Sequence, residues 1–119
     1  MTTNDLDGLA TGWLALPDLA EALDETVANL RQMVRERRLV VVERGTPPVK
    51  QVPSDLVHDG HLVKGLAGAL TVLRDAGYSD REALRWLLTD EPALGGRPVD
   101  AMAQGRDTAV KRHAMALGF

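Results

Sequence analysis

The stretch Leu16–Val52, LPDLAEALDETVANLRQMVRERRLVVVERGTPPVKQV, decides the fold. Pro17 suits the first turn of a helix and Asp18 its positive end. Leu19, Ala20 and Leu23 then share one face. Asp24-Glu25-Thr26 interrupts the apolar pattern and supplies acids and a hydroxyl to cap a second helix. That helix is expected over 26–37, with Val27, Leu30 and Val34 three and four apart. Leu39-Val40-Val41-Val42 is β-branched and too short for a convincing helix. Arg44-Gly45-Thr46-Pro47-Pro48 reads as a turn, and Val49-Lys50-Gln51-Val52 as a returning strand. Helix, three-residue turn, helix, ribbon is the order of parts in a winged helix-turn-helix.

Charge is distributed to match. Residues 1–30 hold six acids and no Lys or Arg. Residues 31–50 hold Arg31, Arg35, Arg37, Arg38, Arg44 and Lys50 against Glu36 and Glu43, a formal +4 in a chain whose net charge is −3. A local cationic stripe on an acidic chain is an address for a polyanion rather than general basicity. The expected reader of double-stranded DNA is helix 26–37. Asn29 and Gln32 lie on its exposed face beside Thr26 and Ala28, where amides can match the donors and acceptors of base edges. Arg31, Arg35, Arg37 and Arg38 can reach flanking phosphates, while Arg44 and Lys50 lie on the 39–52 wing. Against this stands a solvated amphipathic helix with no ligand, and Asp24 and Glu25 would repel a close phosphate.

Outward from this stretch, residues 1–12 show no periodicity and are expected to form a flexible tail. Residues 62–76 carry Leu62, Leu66, Leu70 and Leu73 on one helical stripe, with Gly65 and Gly68 inside it and Gly77 at its end. Ser79-Asp80-Arg81-Glu82 is a capping box that opens a helix through Leu88 or Thr89. Glu91-Pro92 and Gly95-Gly96-Arg97-Pro98 break the chain before helices near 98–104 and 106–117. The fold expected is mainly α: a winged helix-turn-helix over 13–58 with a short two-stranded β-ribbon, then a C-terminal helical bundle over 59–119 packed on it.

The totals narrow the function. The 119 residues suit one compact unit. Aromatics are few (Trp13, Tyr78, Trp86, Phe119), which disfavours the stacking platforms of single-strand binders. Without cysteine there is no disulfide, thiolate chemistry or Cys-based zinc site. No apolar run approaches the roughly 20 residues of a membrane span, and the N-terminus is polar and acidic, so a cytoplasmic protein with no membrane partner is expected. No phosphate loop, H-E-x-x-H or nucleophile elbow is present, and no cofactor or enzymatic activity is expected. His58-Asp59-Gly60-His61 offers two imidazoles with nothing to complete a coordination sphere, so it reads as a polar connector, not a metal site.

Leu19-Ala20-Glu21-Ala22-Leu23, the turn, and Val27 through Val40 resemble the winged-helix segment of excisionase and MerR-type regulators. Residues 13–117 as a whole resemble small actinobacterial winged-helix DNA-binding proteins, typified by the mycobacterial substrate of protein kinase L. The resemblance runs through Val63-Lys64-Gly65-Leu66, Leu70 to Gly77, Leu84-Arg85-Trp86-Leu87 and Gly96 to Ala101. It implies a DNA-binding regulator of transcription. Asp24 stands where the turn usually has Gly, and Glu25 where a small apolar residue is usual. Residues 79–117 are also similar to the toxin-binding segment of Xre/MbcA/ParS-type antitoxins, which implies a protein partner or self-association through 79–117. The competing reading is that Trp86, Leu87, Leu88, Val99, Met102 and Val110 pack together and against the winged helix.

Overall fold

The computed structural model describes residues 5–118. Two units of secondary structure follow one another along the chain, and both owe their shape to the apolar stripes above. The first comprises β1 (Trp13–Ala15), α1 (Leu16–Leu23), α2 (Val27–Arg35), β2 (Val42–Arg44) and β3 (Val49–Pro53). The second comprises a small hairpin, β4 (Val57–His58) and β5 (His61–Leu62), then α3 (Leu66–Asp75), α4 (Asp80–Leu88), α5 (Pro98–Ala103) and α6 (Asp107–Ala116). The chain is mainly helical, with a winged helix-turn-helix followed by a helical bundle.

In the helix-turn-helix, Leu19 and Leu30 are fully buried and hold α1 against α2. The turn between them needs a left-handed residue, and Asp24 takes that role at φ 53°, ψ 50°. Aspartate is among the few non-glycine residues that adopt this conformation without large strain. The departure at the glycine position therefore leaves the turn intact.

The sheet has three strands in the order β1-β3-β2, not the two of the expected ribbon. Trp13-Leu14-Ala15 pairs antiparallel with Gln51-Val52-Pro53, and Val42-Glu43-Arg44 with Val49-Lys50-Gln51. The first strand of the wing also begins later than Leu39. Arg37, at φ 62°, turns the chain sharply after α2. Leu39 and Val40 are then buried as connecting chain, which explains their hydrophobicity without ladder pairing.

Residues 5–12 do not form the flexible tail expected for 1–12; residues 1–4 of that expectation lie outside the described residues. Asp5–Gly8 is a 3-10 turn, and Leu6 is only 1% exposed in the core. Thr11 donates its backbone N–H to Asp55 Oδ1 at 2.9 Å, and Ser54 N–H donates to the Gly12 carbonyl. A single buried leucine has no periodicity to announce it, so the sequence pattern was silent.

The helix expected over 62–76 starts at Leu66, because Gly65 at φ +83° cannot continue it upstream. A Cβ at Gly65 would lie 2.7 Å from that of Asp107 in α6, so glycine also permits the close α3–α6 contact. Leu62 belongs instead to β5, in a hairpin turned by Asp59 (φ 52°) and Gly60 (φ 79°). This is the Asp-Gly pattern of a type I′ turn. His58 and His61 face each other across it. Among the described residues no group of three or more potential ligands is arranged for a metal. The capping box forms as expected: Ser79 Oγ accepts from Glu82 N–H, and Glu82 accepts from Ser79 N–H. No helix among the described residues is long and apolar enough to cross a membrane.

The two units are fastened by charge as well as by leucines. Arg97, ahead of α5, donates from Nη1 to Asp55 Oδ2 at 2.8 Å and to the Leu9 carbonyl at 3.2 Å. Its Nε and Nη2 grip Asp100. The Asp55 side chain is 1% exposed. Breaking a buried pair strands its remaining partner. Asp55→Ala is accordingly expected to cost about 3 kcal/mol in a urea titration, at the lower end of such losses because Arg97 retains Asp100 and some solvent.

Candidate nucleic-acid interface

The candidate reading helix, α2, is built from its cap upward. Thr26 is the N-cap of α2 and its hydroxyl accepts from Asn29 N–H at 3.0 Å. Leu30 faces the core, and Val27, Met33 and Val34 flank it half-buried. The opposite face, Ala28, Asn29, Arg31, Gln32 and Arg35, is exposed together with Thr26, Arg37 and Arg38. The 3.6-residue period thus placed the sequence-predicted face outward.

That face is not a row of independent groups. Gln32 Oε1 accepts two hydrogen bonds from Arg35, at 2.6 and 3.1 Å. Gln32 Nε2 donates to Glu36, and Arg38 Nη1 meets the other Glu36 oxygen at 3.1 Å. At the other end, Glu25 Oε1 accepts from Asn29 Nδ2 at 2.7 Å and from Thr26 N–H at 3.1 Å. The Asn29 amide, then the Thr26 N–H, hold the Glu25 carboxyl below the ordinary carboxylate range. Gln32, then Arg38, do the same for Glu36. Both are therefore ionised at neutral pH, and the face alternates in sign.

The wing divides the two cations expected on it. Glu43 pairs with Lys50, and Arg44 with Val49. Side chains alternate across a sheet, so Lys50 and Arg44 leave opposite faces. Lys50 joins Arg31 and Arg35 around a shallow depression of about 120 Å³ floored by Leu16, Val34 and Val41, at the junction of α2 and the sheet. Among the described residues, the side chains of Arg31 and Lys50 engage no acid. Arg44 turns the other way. Its guanidinium lies 4.1 Å from the Trp13 ring centroid. Nε and Nη2 donate to Asp7 Oδ1 at 3.1 and 2.7 Å, and Nη1 donates to Gln51. Arg44 is thus a tether between the wing and the N-terminal segment. The structure brings Arg31, Arg35 and Lys50 together, leaves Arg37 and Arg38 at the far end of the helix, and withdraws Arg44. Sequence reasoning missed Asp7 and the orienting role of Glu25. An acid just before the N-cap and four residues before an amide was the available signal for Glu25.

Comparison with known proteins agrees with this architecture. Residues 4–57 match the family described as "DNA-binding protein Rv2175c, wHTH domain". Residues 63–118 match the family described as "Rv2175c C-terminal domain of unknown function". The chain is 38% identical over 117 residues to "DNA-binding protein Rv2175c" of Mycobacterium tuberculosis, covering 87% of this chain and 79% of that protein. It is also similar to the solved "NMR structure of Rv2175c", with a TM-score of 0.77 and 35% identity, over 91% of this chain and 82% of the other.

The capping role of Thr26 is separable from any contact with a ligand. Thr26→Ala should lower stability by about 1 kcal/mol, the ordinary worth of an N-cap hydroxyl, whereas Thr26→Ser should not. Paired urea titrations in the absence of nucleic acid would measure this.

Proposed function

The chain belongs to the Rv2175c family, and on that footing we propose that it binds double-stranded DNA as a regulator of transcription. The exposed face of α2 enters a major groove, and the Lys50 face of the wing lies along the adjacent backbone. The observation that carries this reading is the meeting of Arg31, Arg35 and Lys50 at the junction of reading helix and wing. Three cations from two elements converge there, on a chain that is acidic overall. A phosphate placed at that junction meets positive charge from two sides. Among the described residues Arg31 and Lys50 have no ion pair to surrender before binding, which keeps the cost of engaging them low.

Arg35 arrives with its guanidinium steered by Gln32. Arg38 must leave Glu36, and Arg44 must leave Asp7, before either can serve a phosphate. The cations are therefore ranked, with Arg31, Arg35 and Lys50 first. A net charge of −3 also keeps nonspecific binding weak, while the salt dependence of affinity follows the number of cations that reach phosphate.

The test is the slope of log affinity against log salt for a fixed duplex. Arg31→Ala and Lys50→Ala should each flatten it by about one phosphate contact, close to 0.9. Arg44→Ala should leave the slope nearly unchanged while lowering stability, because it removes the Asp7 and Trp13 contacts. Unchanged slopes for both Arg31→Ala and Lys50→Ala would mean the polyanion binds elsewhere or not at all.

A further inference from the structure

We propose that Asn29 and Glu25 form a reader of an amino-bearing base, adenine or cytosine, with Glu25 the positioning residue that fixes which end of the Asn29 amide faces the groove. This rests on the DNA-binding reading above and deepens it. An asparagine amide can be turned to present its oxygen or its nitrogen, and the two choices favour opposite base edges. Here the choice is made by Glu25. An ionised carboxylate has no proton to give, so it binds only the nitrogen end. Nδ2 lies 2.7 Å from Glu25 Oε1. The carboxylate itself is pinned by the Thr26 N–H, and the Asn29 backbone by the Thr26 hydroxyl. Three hydrogen bonds thus lock one amide at the start of the helix.

What remains outward is dominated by acceptors. Asn29 Oδ1 has no donor among the described residues, and the second oxygen of Glu25 is also unengaged. Two acceptors and one residual amide N–H are presented together. In the major groove only adenine N6 and cytosine N4 offer donors; guanine O6 and N7 and thymine O4 are acceptors and would face oxygen and negative charge. Gln32 is different. Its oxygen is taken by Arg35 and its nitrogen by Glu36, so it serves the arginine rather than a base. The reading face therefore divides into an acceptor end at Glu25 and Asn29 and a donor end at Arg31 and Arg35. At this helix start, with its positive dipole, the place a phosphate would favour is already held by the Glu25 carboxylate.

The experiment selects bound duplexes from a random-core library with the full chain, and repeats the selection with Asn29→Ala and Glu25→Gln. Both positions are exposed, and circular dichroism melts confirm that each variant is folded. The unsubstituted chain should show one position at which adenine or cytosine exceeds guanine and thymine by about tenfold. Asn29→Ala should flatten that position alone. Glu25→Gln should bind all duplexes several-fold more tightly, having lost a repulsive charge, yet lose the preference, because a glutamine amide can pair with either end of Asn29. A role confined to capping the helix would move stability without this split. If the selected base is adenine, a 7-deazaadenine duplex tells whether Asn29 also donates to N7: weaker binding marks a two-point contact, and unchanged binding a contact through N6 alone. Both outcomes keep the reader. Guanine or thymine at the position governed by Asn29, or base preferences unmoved by both substitutions, would overturn it. Failure of the unsubstituted chain to retain any duplex would instead overturn the DNA-binding reading itself.

Discussion

The Asp55 carboxylate is the point on which the rest of the structure turns. It accepts from the Thr11 backbone and from Arg97, and Arg97 also holds the Leu9 carbonyl and Asp100. Three distant parts of the chain meet at it: the N-terminal segment, the end of the wing, and the start of α5. A carboxylate with 1% exposure is tolerable only when it is paired and each oxygen is hydrogen-bonded. Those answers come from backbone and guanidinium groups that are themselves thereby fixed. The burial of Asp55 and the order of residues 9–12 are two sides of one constraint.

The same constraint reaches the candidate interface. Once residues 9–12 are tied down, Trp13 is placed as an edge strand beside β3, on the sheet face that also carries Arg44. Asp7 then lies within reach, and Arg44 settles between the indole and the carboxylate. Part of the chain's most acidic stretch is spent neutralising one cation of its most basic stretch. The stripe visible in the sequence is thereby trimmed to the cations that face α2.

How much of this could be read beforehand follows the range of the interaction. Helices α1, α2 and α4 were legible because their signals are local: Leu19 with Leu23, and Val27 with Leu30 and Val34, at helical spacing, Pro17 at a first turn, Ser79 and Glu82 three apart. The exposed face of α2 followed from the same period. The order of residues 5–12 was not legible, since Leu6 is buried by contacts that no neighbouring residue announces. Leu62 was drawn into a helix because it extends the Leu66, Leu70 and Leu73 stripe, and only the left-handed Gly65 breaks that register. Asp59-Gly60 was a readable turn signal overshadowed by its flanking histidines. For the site, the opposite faces of Arg44 and Lys50 depend on strand register, which shifts every side chain when it slips by one residue. Register here is that of β2 against β3, with Glu43 opposite Lys50 and Arg44 opposite Val49, which the residues flanking the turn do not announce.

The second unit also bears on α2, and does so mechanically. Leu87, Leu88, Val99, Met102 and Val110 are each at most 1% exposed, so they are engaged in the chain's own core, with Trp86 half-buried over His113. A partner recruited through those five side chains would have to open the core to reach them. In that core α4 and α6 pack against α3, whose last turn carries Arg74, stretched from Asp80 to the Arg37 carbonyl at 2.6 Å. Arg37 is the left-handed residue just beyond α2, where carbonyls have lost their helical donors. Arg74 supplies one, and its charge suits the negative end of the helix dipole. The helix that faces outward is thus capped at its start by Thr26 and Glu25, and braced at its exit by a residue from the other half of the chain. A short amphipathic helix of nine residues has little stability of its own. Its rigidity, and with it the fixed orientation of Asn29 and Arg35, is conferred by these two anchors together with Leu30 in the core.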